Sequence, residues 1–128
     1  MKIEHLAIWV KDLEKTCNYY EFFFNAKRGE AYYNPNKNFR SYFLSFDKGA
    51  RLELMHNPEV LQLVNPAKER IGLVHFAISV GSREKVNAIT EQLRNAGYKI
   101  VGEPRTTGDG YYESVTLDPE GNRIEITV

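Results

Sequence analysis

Leu73-Val74-His75-Phe76-Ala77-Ile78-Ser79-Val80 repeats the opening stretch Ile3-Glu4-His5-Leu6-Ala7-Ile8-Trp9-Val10, and this pair decides the fold. Successive side chains on a strand point to opposite faces, so Leu6, Ile8 and Val10 share one face and Phe76, Ile78 and Val80 share its counterpart. His5 and His75 point the other way, beside the small residues Ala7, Ala77 and Ser79. Such a strand packs a helix with its apolar face and lines a cleft with the other.

The correspondence continues outward from these strands. A shift of seventy also aligns Glu14-Lys15 with Glu84-Lys85, Glu21 with Glu91, and Asn25-Ala26 with Asn95-Ala96. Asp12 and Ser82 stand where helix N-caps are expected. The first helix carries a stripe of Leu13, Cys17, Tyr20 and Phe24, and the second one of Val86, Ile89 and Leu93 closed by Gly97. Cys17, in the middle of an apolar stripe, reads as core and not as a reactive thiol. Phe22, Phe23 and Phe24 read as packing residues.

Two strands follow in the first half, from Ser41 to Phe46 and from Ala50 to Met55. Leu52 and Leu54 take the core face of the second, which leaves Glu53 on the face that His5 occupies. The closing strand Arg123 to Val128 repeats this, with Ile124 and Ile126 inward and Glu125 on the histidine side. A shift of 72 pairs Gly49 with Gly121, Arg51 with Arg123 and Glu53 with Glu125, while Asp47 and Asp118 match at 71. Taking the extra residue to lie in the second turn, Ser41, Phe43 and Ser45 correspond to Tyr112, Ser114 and Thr116, which gives those residues the cleft face. The chain therefore reads as one module written twice: strand, helix, three strands, with a histidine on the first strand and a glutamate on the last. The modules span about 1–57 and 71–128, joined by a connector over about 58–70 within one domain.

A lone strand histidine is usually a hydrogen-bonded structural residue, and a lone strand glutamate usually belongs to a solvated face. Four such residues at matched positions of a repeat are not independent. His5, Glu53, His75 and Glu125 together offer two nitrogens and two oxygens, a donor set for a divalent metal. His56 has no histidine counterpart and is expected near a strand end.

Composition narrows the alternatives. The 128 residues suit one domain, and seventeen basic residues balance seventeen acidic ones, so no broad positive field attracts nucleic acid or anionic lipid. The single cysteine excludes an intrachain disulfide and a Cys-rich zinc module. No segment approaches the ~20 apolar residues of a spanning helix, and no export signal is visible, so a cytoplasmic protein is expected.

The segments Glu4-His5-Leu6-Ala7-Ile8, Val10-Lys11-Asp12-Leu13-Glu14, Arg51-Leu52-Glu53-Leu54, Val74-His75-Phe76-Ala77 and Asp118-Pro119-Glu120-Gly121-Asn122-Arg123-Ile124-Glu125 resemble the vicinal oxygen chelate superfamily over essentially the whole chain. That superfamily includes glyoxalase I, methylmalonyl-CoA epimerase, extradiol dioxygenases, and fosfomycin and bleomycin resistance proteins. The resemblance implies an α+β fold of two tandem βαβββ modules forming a cupped mixed sheet around a metal cleft, commonly in a homodimer. It is nearest to glyoxalase I, whose ligand set matches His5, Glu53, His75 and Glu125. The implied activity is that of a glyoxalase I-like lyase, which converts the hemithioacetal of a 2-oxoaldehyde and a thiol through a metal-stabilised enediolate. Glu125 is favoured over Glu53 as the proton-moving base. The implied cofactor is one divalent metal ion, with Ni, Co or Zn foremost and Mn or Fe next. The alternatives are a metal-free small-molecule binding protein of the bleomycin-resistance kind, a thiol transferase of the fosfomycin-resistance kind, and an epimerase.

The stretch Glu103 to Tyr112, with its Gly108-Asp109-Gly110, is expected to close over the substrate, with Arg105 pairing a substrate carboxylate. Phe43, Tyr112 and Ser114 are the other candidate substrate contacts.

Overall fold

The computed structural model describes residues 2–61 and 72–128. The chain divides into two compact units, Met1–Val64 and Asn65–Val128. Most of the expected connector lies outside the described residues. Among the described residues no helix is long and apolar enough to cross a membrane.

In the first unit, β1 (His5–Trp9) leads into α1 (Leu13–Phe24), followed by β2 (Lys27–Arg28), β3 (Tyr32–Asn34), a 3-10 turn over Pro35–Lys37, β4 (Phe39–Ser45) and β5 (Arg51–His56). The sheet order is β1-β5-β4-β2, with β3 also paired to β4. The β1–β5 pairing is parallel, because the helix carries the chain back across the sheet. The Asp12 side chain accepts the Lys15 N–H at 3.0 Å and so caps α1. Asn25 ends the helix in the left-handed region at φ 53°. Leu13, Thr16, Cys17, Tyr19, Tyr20 and Phe23 are buried on the helix, and Leu44, Leu52 and Leu54 on the sheet against it. Burial pushes the Cys17 thiol up to about 12, as the core reading requires. Phe22 is 75% exposed, since three consecutive helical residues cannot share one buried stripe. Arg28 fastens β2 to the helix: Nε donates to Glu21 Oε1 at 3.1 Å, Nη2 to Glu21 Oε2 at 2.7 Å, and Nη1 to Glu14 Oε2 at 2.5 Å.

The second unit runs β6 (His75–Ser79), α2 (Arg83–Asn95), β7 (Ile100–Thr106), β8 (Tyr112–Leu117) and β9 (Arg123–Thr127), in the sheet order β6-β9-β8-β7. Here too the first strand pairs the last in parallel. Ser82 Oγ accepts the Lys85 N–H at 3.3 Å. At the other end Gly97 adopts φ +85° and Tyr98 N–H reaches back to the Leu93 carbonyl at 2.9 Å. Val86, Thr90 and Leu93 pack with Ile124, Ile126, Ser114 and Thr116, all within 1% of full burial. The protein is thus α+β, with two helices and two mixed sheets.

Two expectations are corrected. Tyr112, Ser114 and Thr116 do not share a face with Glu125. Val115 is the residue opposite Glu125, and Ser114 lies opposite Ile126 on the helix side. Ser114 Oγ meets Thr90 Oγ1 at 2.7 Å, and Tyr112 donates its hydroxyl to Asn87 Oδ1 at 2.8 Å with the Arg83 guanidinium 4.7 Å above its ring. Because the strand period is two, the one-residue difference between shifts of 71 and 72 reverses every side chain. The second correction concerns the 103–112 stretch. Half of it is strand, since β7 continues to Thr106 and β8 begins at Tyr112, with Arg105 paired to Glu113 and Thr106 to Tyr112. Only the turn remains, and it is tight: Thr107 N–H donates to the Tyr111 carbonyl at 2.8 Å, and Gly110 N–H to the Thr107 carbonyl at 3.0 Å.

Candidate metal and substrate site

Each unit brings one histidine and one glutamate together on the sheet face away from its helix. In β1–β5, His5 lies beside Arg51 and Ala7 beside Glu53, so His5 and Glu53 are diagonal neighbours. Ala7 has too little side chain to separate them, and His5 Nε2 stands 4.0 Å from Glu53 Oε2. The second unit repeats this with Ala77 beside Glu125, and His75 Nε2 is 3.2 Å from Glu125 Oε2. Both glutamates are largely buried, at 16% and 19% side-chain exposure, whereas the two imidazoles are open at 41% and 42%.

The surroundings of the two pairs differ. In unit one, Phe43 lies opposite Glu53, its ring 5.3 Å edge-on from the His5 ring, with the Arg51 guanidinium 4.1 Å above it. Trp9 and Phe39 meet edge-on at 5.9 Å further along. Glu4 Oε2 contacts His5 Nδ1 at 2.5 Å, and Glu4 Oε1 accepts from Arg51. The hydrogen bond from His5, followed by those from Arg51, holds the Glu4 carboxyl below its ordinary value. In unit two, Arg105 and Glu113 pair across β7–β8. Glu113 shares the face of Val115 and hence of Glu125. Burial first, and then the charge of Glu125, push the Glu113 carboxyl up, while Arg105 and His75 act against the shift.

His5, Glu53 and Phe43 therefore gather in one unit, and His75, Glu125 and Arg105 lie on one face in the other. Tyr112 and Ser114 lie on the opposite face. Glu4 and Glu113 were not singled out from the sequence. A shift of 72 throughout the third strand would have set Glu113 against Ser41 and Val115 against Phe43, and so placed both on the open face. His56 ends β5, its Nδ1–H donating to the Val10 carbonyl at 3.0 Å.

The donor set suits a first-row divalent cation. Two ligands each about 2.1 Å from such an ion lie about 3.0 Å apart at a right angle and about 3.4 Å apart at the tetrahedral angle. The 3.2 Å pair of unit two falls in that interval, whereas the 4.0 Å pair of unit one stands wider than it. Among the described residues no group of three or more such side chains is gathered, so each unit on its own supplies a pair.

Two units, each opening on a strand histidine and closing on a strand with a glutamate at its centre, define a duplicated α+β protein with one histidine–glutamate pair in each unit. The chain belongs to the Glyoxalase/Bleomycin resistance protein/Dioxygenase superfamily, matching that family over residues 2–126. It is 27% identical to the uncharacterized protein YqjT of Bacillus subtilis (strain 168), over 97% of this chain and 96% of that one. Among solved structures, a glyoxylase/bleomycin resistance protein/dioxygenase domain from Frankia sp. EAN1pec superposes with a TM-score of 0.83 at 18% identity, covering 100% of this chain and 97% of that one. Glyoxalase I from Zea mays superposes with a TM-score of 0.77 at 27% identity over 98% of this chain, which spans only 44% of the maize chain.

Proposed function

We propose that this protein is a divalent-metal-dependent enzyme of the glyoxalase I kind, acting on a small substrate with neighbouring oxygens, such as the hemithioacetal of a 2-oxoaldehyde and a thiol. The observation that carries the reading is the matched pair of histidine–glutamate contacts, 4.0 Å and 3.2 Å, at equivalent positions of a duplicated fold. The likeness to maize glyoxalase I supports it. In this reading His5, Glu53, His75 and Glu125 hold one divalent ion of the Ni, Co, Zn, Mn or Fe group, and the protein works as a homodimer. The ion's contribution is to polarise two vicinal oxygens and lower the free energy of the negative charge that develops on them.

The protein's own residues do the rest. The Glu125 carboxylate takes the proton from the carbon that bears sulfur and oxygen and returns it to the adjacent carbon, while the hydroxyl proton passes to the neighbouring carbonyl oxygen, so that the hemithioacetal becomes a 2-hydroxyacyl thioester with no net gain or loss of atoms. Glu53, its counterpart in the repeat, serves as a ligand. Phe43 offers the substrate an apolar wall, and Arg105 offers a partner for a carboxylate. Metal analysis of the purified protein coupled to a methylglyoxal-plus-thiol assay tests the reading. Stoichiometric metal with thioester formation is expected. A metal-free protein that binds a small molecule without turnover, and keeps doing so after His5→Ala and His75→Ala, would establish the binding-protein alternative instead.

A further inference from the structure

The two histidines differ in what lies behind them. Val74 precedes His75 where Glu4 precedes His5. Glu4 is held at its backbone and its carboxylate: its carbonyl accepts the Arg51 N–H at 2.9 Å, and its Oε1 accepts Arg51 Nε at 2.8 Å and Nη2 at 2.6 Å. Arg51 is itself fixed over Phe43 at 4.1 Å. The remaining oxygen, Oε2, meets His5 Nδ1 at 2.5 Å. An ionised carboxylate beside a guanidinium has only lone pairs to offer, so the hydrogen in this contact sits on Nδ1. A neutral imidazole protonated there carries its lone pair on Nε2, the atom turned toward Glu53. An isopropyl side chain at position 74 accepts no hydrogen bond and gives His75 no such constraint.

We propose that Glu4 is a positioning residue that holds His5 in its Nδ1–H tautomer before any cation arrives, making the His5–Glu53 pair the pre-set half of the metal site. The inference rests on the metalloenzyme reading and concerns how one ligand is prepared. A carboxylate behind a ligating imidazole fixes ring orientation and raises its basicity, and removing such a partner weakens metal binding by about 10- to 100-fold. The two halves of the duplicated site are therefore unequal in preparation although equal in ligands.

The tautomer is readable without metal. The chain has three histidines, so nitrogen-15 imidazole spectra of the metal-free protein are assignable with single His→Gln variants. His5 is expected to show a protonated Nδ1 and an unprotonated Nε2. Glu4→Val should release the ring to exchange between tautomers and weaken Zn(II) or Co(II) binding about 10- to 100-fold in a competition assay. Glu4→Gln, whose amide oxygen still accepts the Nδ1 hydrogen, should retain the tautomer and most of the affinity. A wild-type His5 protonated on Nε2 overturns the inference with no substitution needed, whether or not Glu4→Val folds. So does an unchanged affinity in Glu4→Val, or a loss in Glu4→Gln equal to that in Glu4→Val. Wild-type protein that binds neither cation overturns the metalloenzyme reading, and this inference with it. Cation binding that is insensitive to Glu4 overturns the inference alone.

Discussion

Glu53 and Glu125 are equivalent by position, yet Glu53 faces the ring of Phe43 whereas Glu125 faces Val115 with a second carboxylate, Glu113, on the same side. In the proposed mechanism that difference separates the two roles, Glu53 as ligand and Glu125 as base. If Glu125 moves the proton, Glu125→Gln lowers kcat by about 10²- to 10⁴-fold in protein that still holds metal, and Glu53→Gln lowers it less. Full turnover in metal-loaded Glu125→Gln would remove the assignment. Glu113 has a consequence of its own in metal-free protein. Its carboxyl is raised above 4.5 in the fold, so the folded state keeps that proton longer than the unfolded chain does. The associated stability is present below 4.5 and is lost as pH rises through the raised value. Denaturant titrations of metal-free protein from pH 4 to pH 7 should show this loss in the wild type and not in Glu113→Gln. The four proposed ligands were legible in the sequence because the repeat displays each twice. Glu4 and Glu113 were not, since a residue's cross-strand partners depend on register, and position 74 is valine where position 4 is glutamate.

At the scale of the elements, both helix caps and the strand parities of β1, β5, β6 and β9 follow directly from residue spacing. The third strand of the second unit does not. Both turns run for the same length, from Ser45 to Arg51 and from Leu117 to Arg123, so the extra residue lies upstream of β8 and the match of Asp47 with Asp118 is misleading. Asp118 shapes the second turn, its Oδ1 accepting the backbone N–H groups of Glu120 and Asn122 at 2.9 and 2.8 Å. The short strands β2 and β3 were also hidden, for two- and three-residue strands carry too little alternation to read. The corrected parity makes a test. Ser114, 1% exposed and bonded to Thr90, belongs to the seam between α2 and β8. Thr90 keeps its bond to the Val86 carbonyl at 2.6 Å when Ser114 is truncated, so Ser114→Ala should cost about 1 kcal/mol of stability and leave kcat and KM unchanged. A raised KM in a variant of undiminished stability would restore Ser114 to the substrate side.

Across the whole molecule, duplication gives each unit a separate core, Leu44, Leu52, Leu54, Tyr19 and Tyr20 in one and Val86, Leu93, Ile124 and Ile126 in the other, and a separate pair of metal-competent side chains. Two side chains leave most of an ion's coordination to water, so each pair alone is a weak site, while four donors acting on one ion are a strong one. The number of ions bound separates the two cases. If His5, Glu53, His75 and Glu125 act as a set, titration gives one ion per chain, and His5→Ala and His75→Ala each abolish stoichiometric binding. If the pairs act separately, two weak ions bind, and each substitution removes one and spares the other. The stability of the fold reports the same event. An ion present at a hundred times its Kd and bound only by folded protein adds about 2.7 kcal/mol. For a domain of this size that raises Tm by about 10 °C. Calorimetry with and without chelator should therefore show a shift of that order in the wild type and none in His5→Ala/His75→Ala. A Tm indifferent to added Zn(II), Co(II), Ni(II), Mn(II) and Fe(II) would mean that the matched pairs are ordinary ion pairs of the sheet surface and that the protein works without a metal.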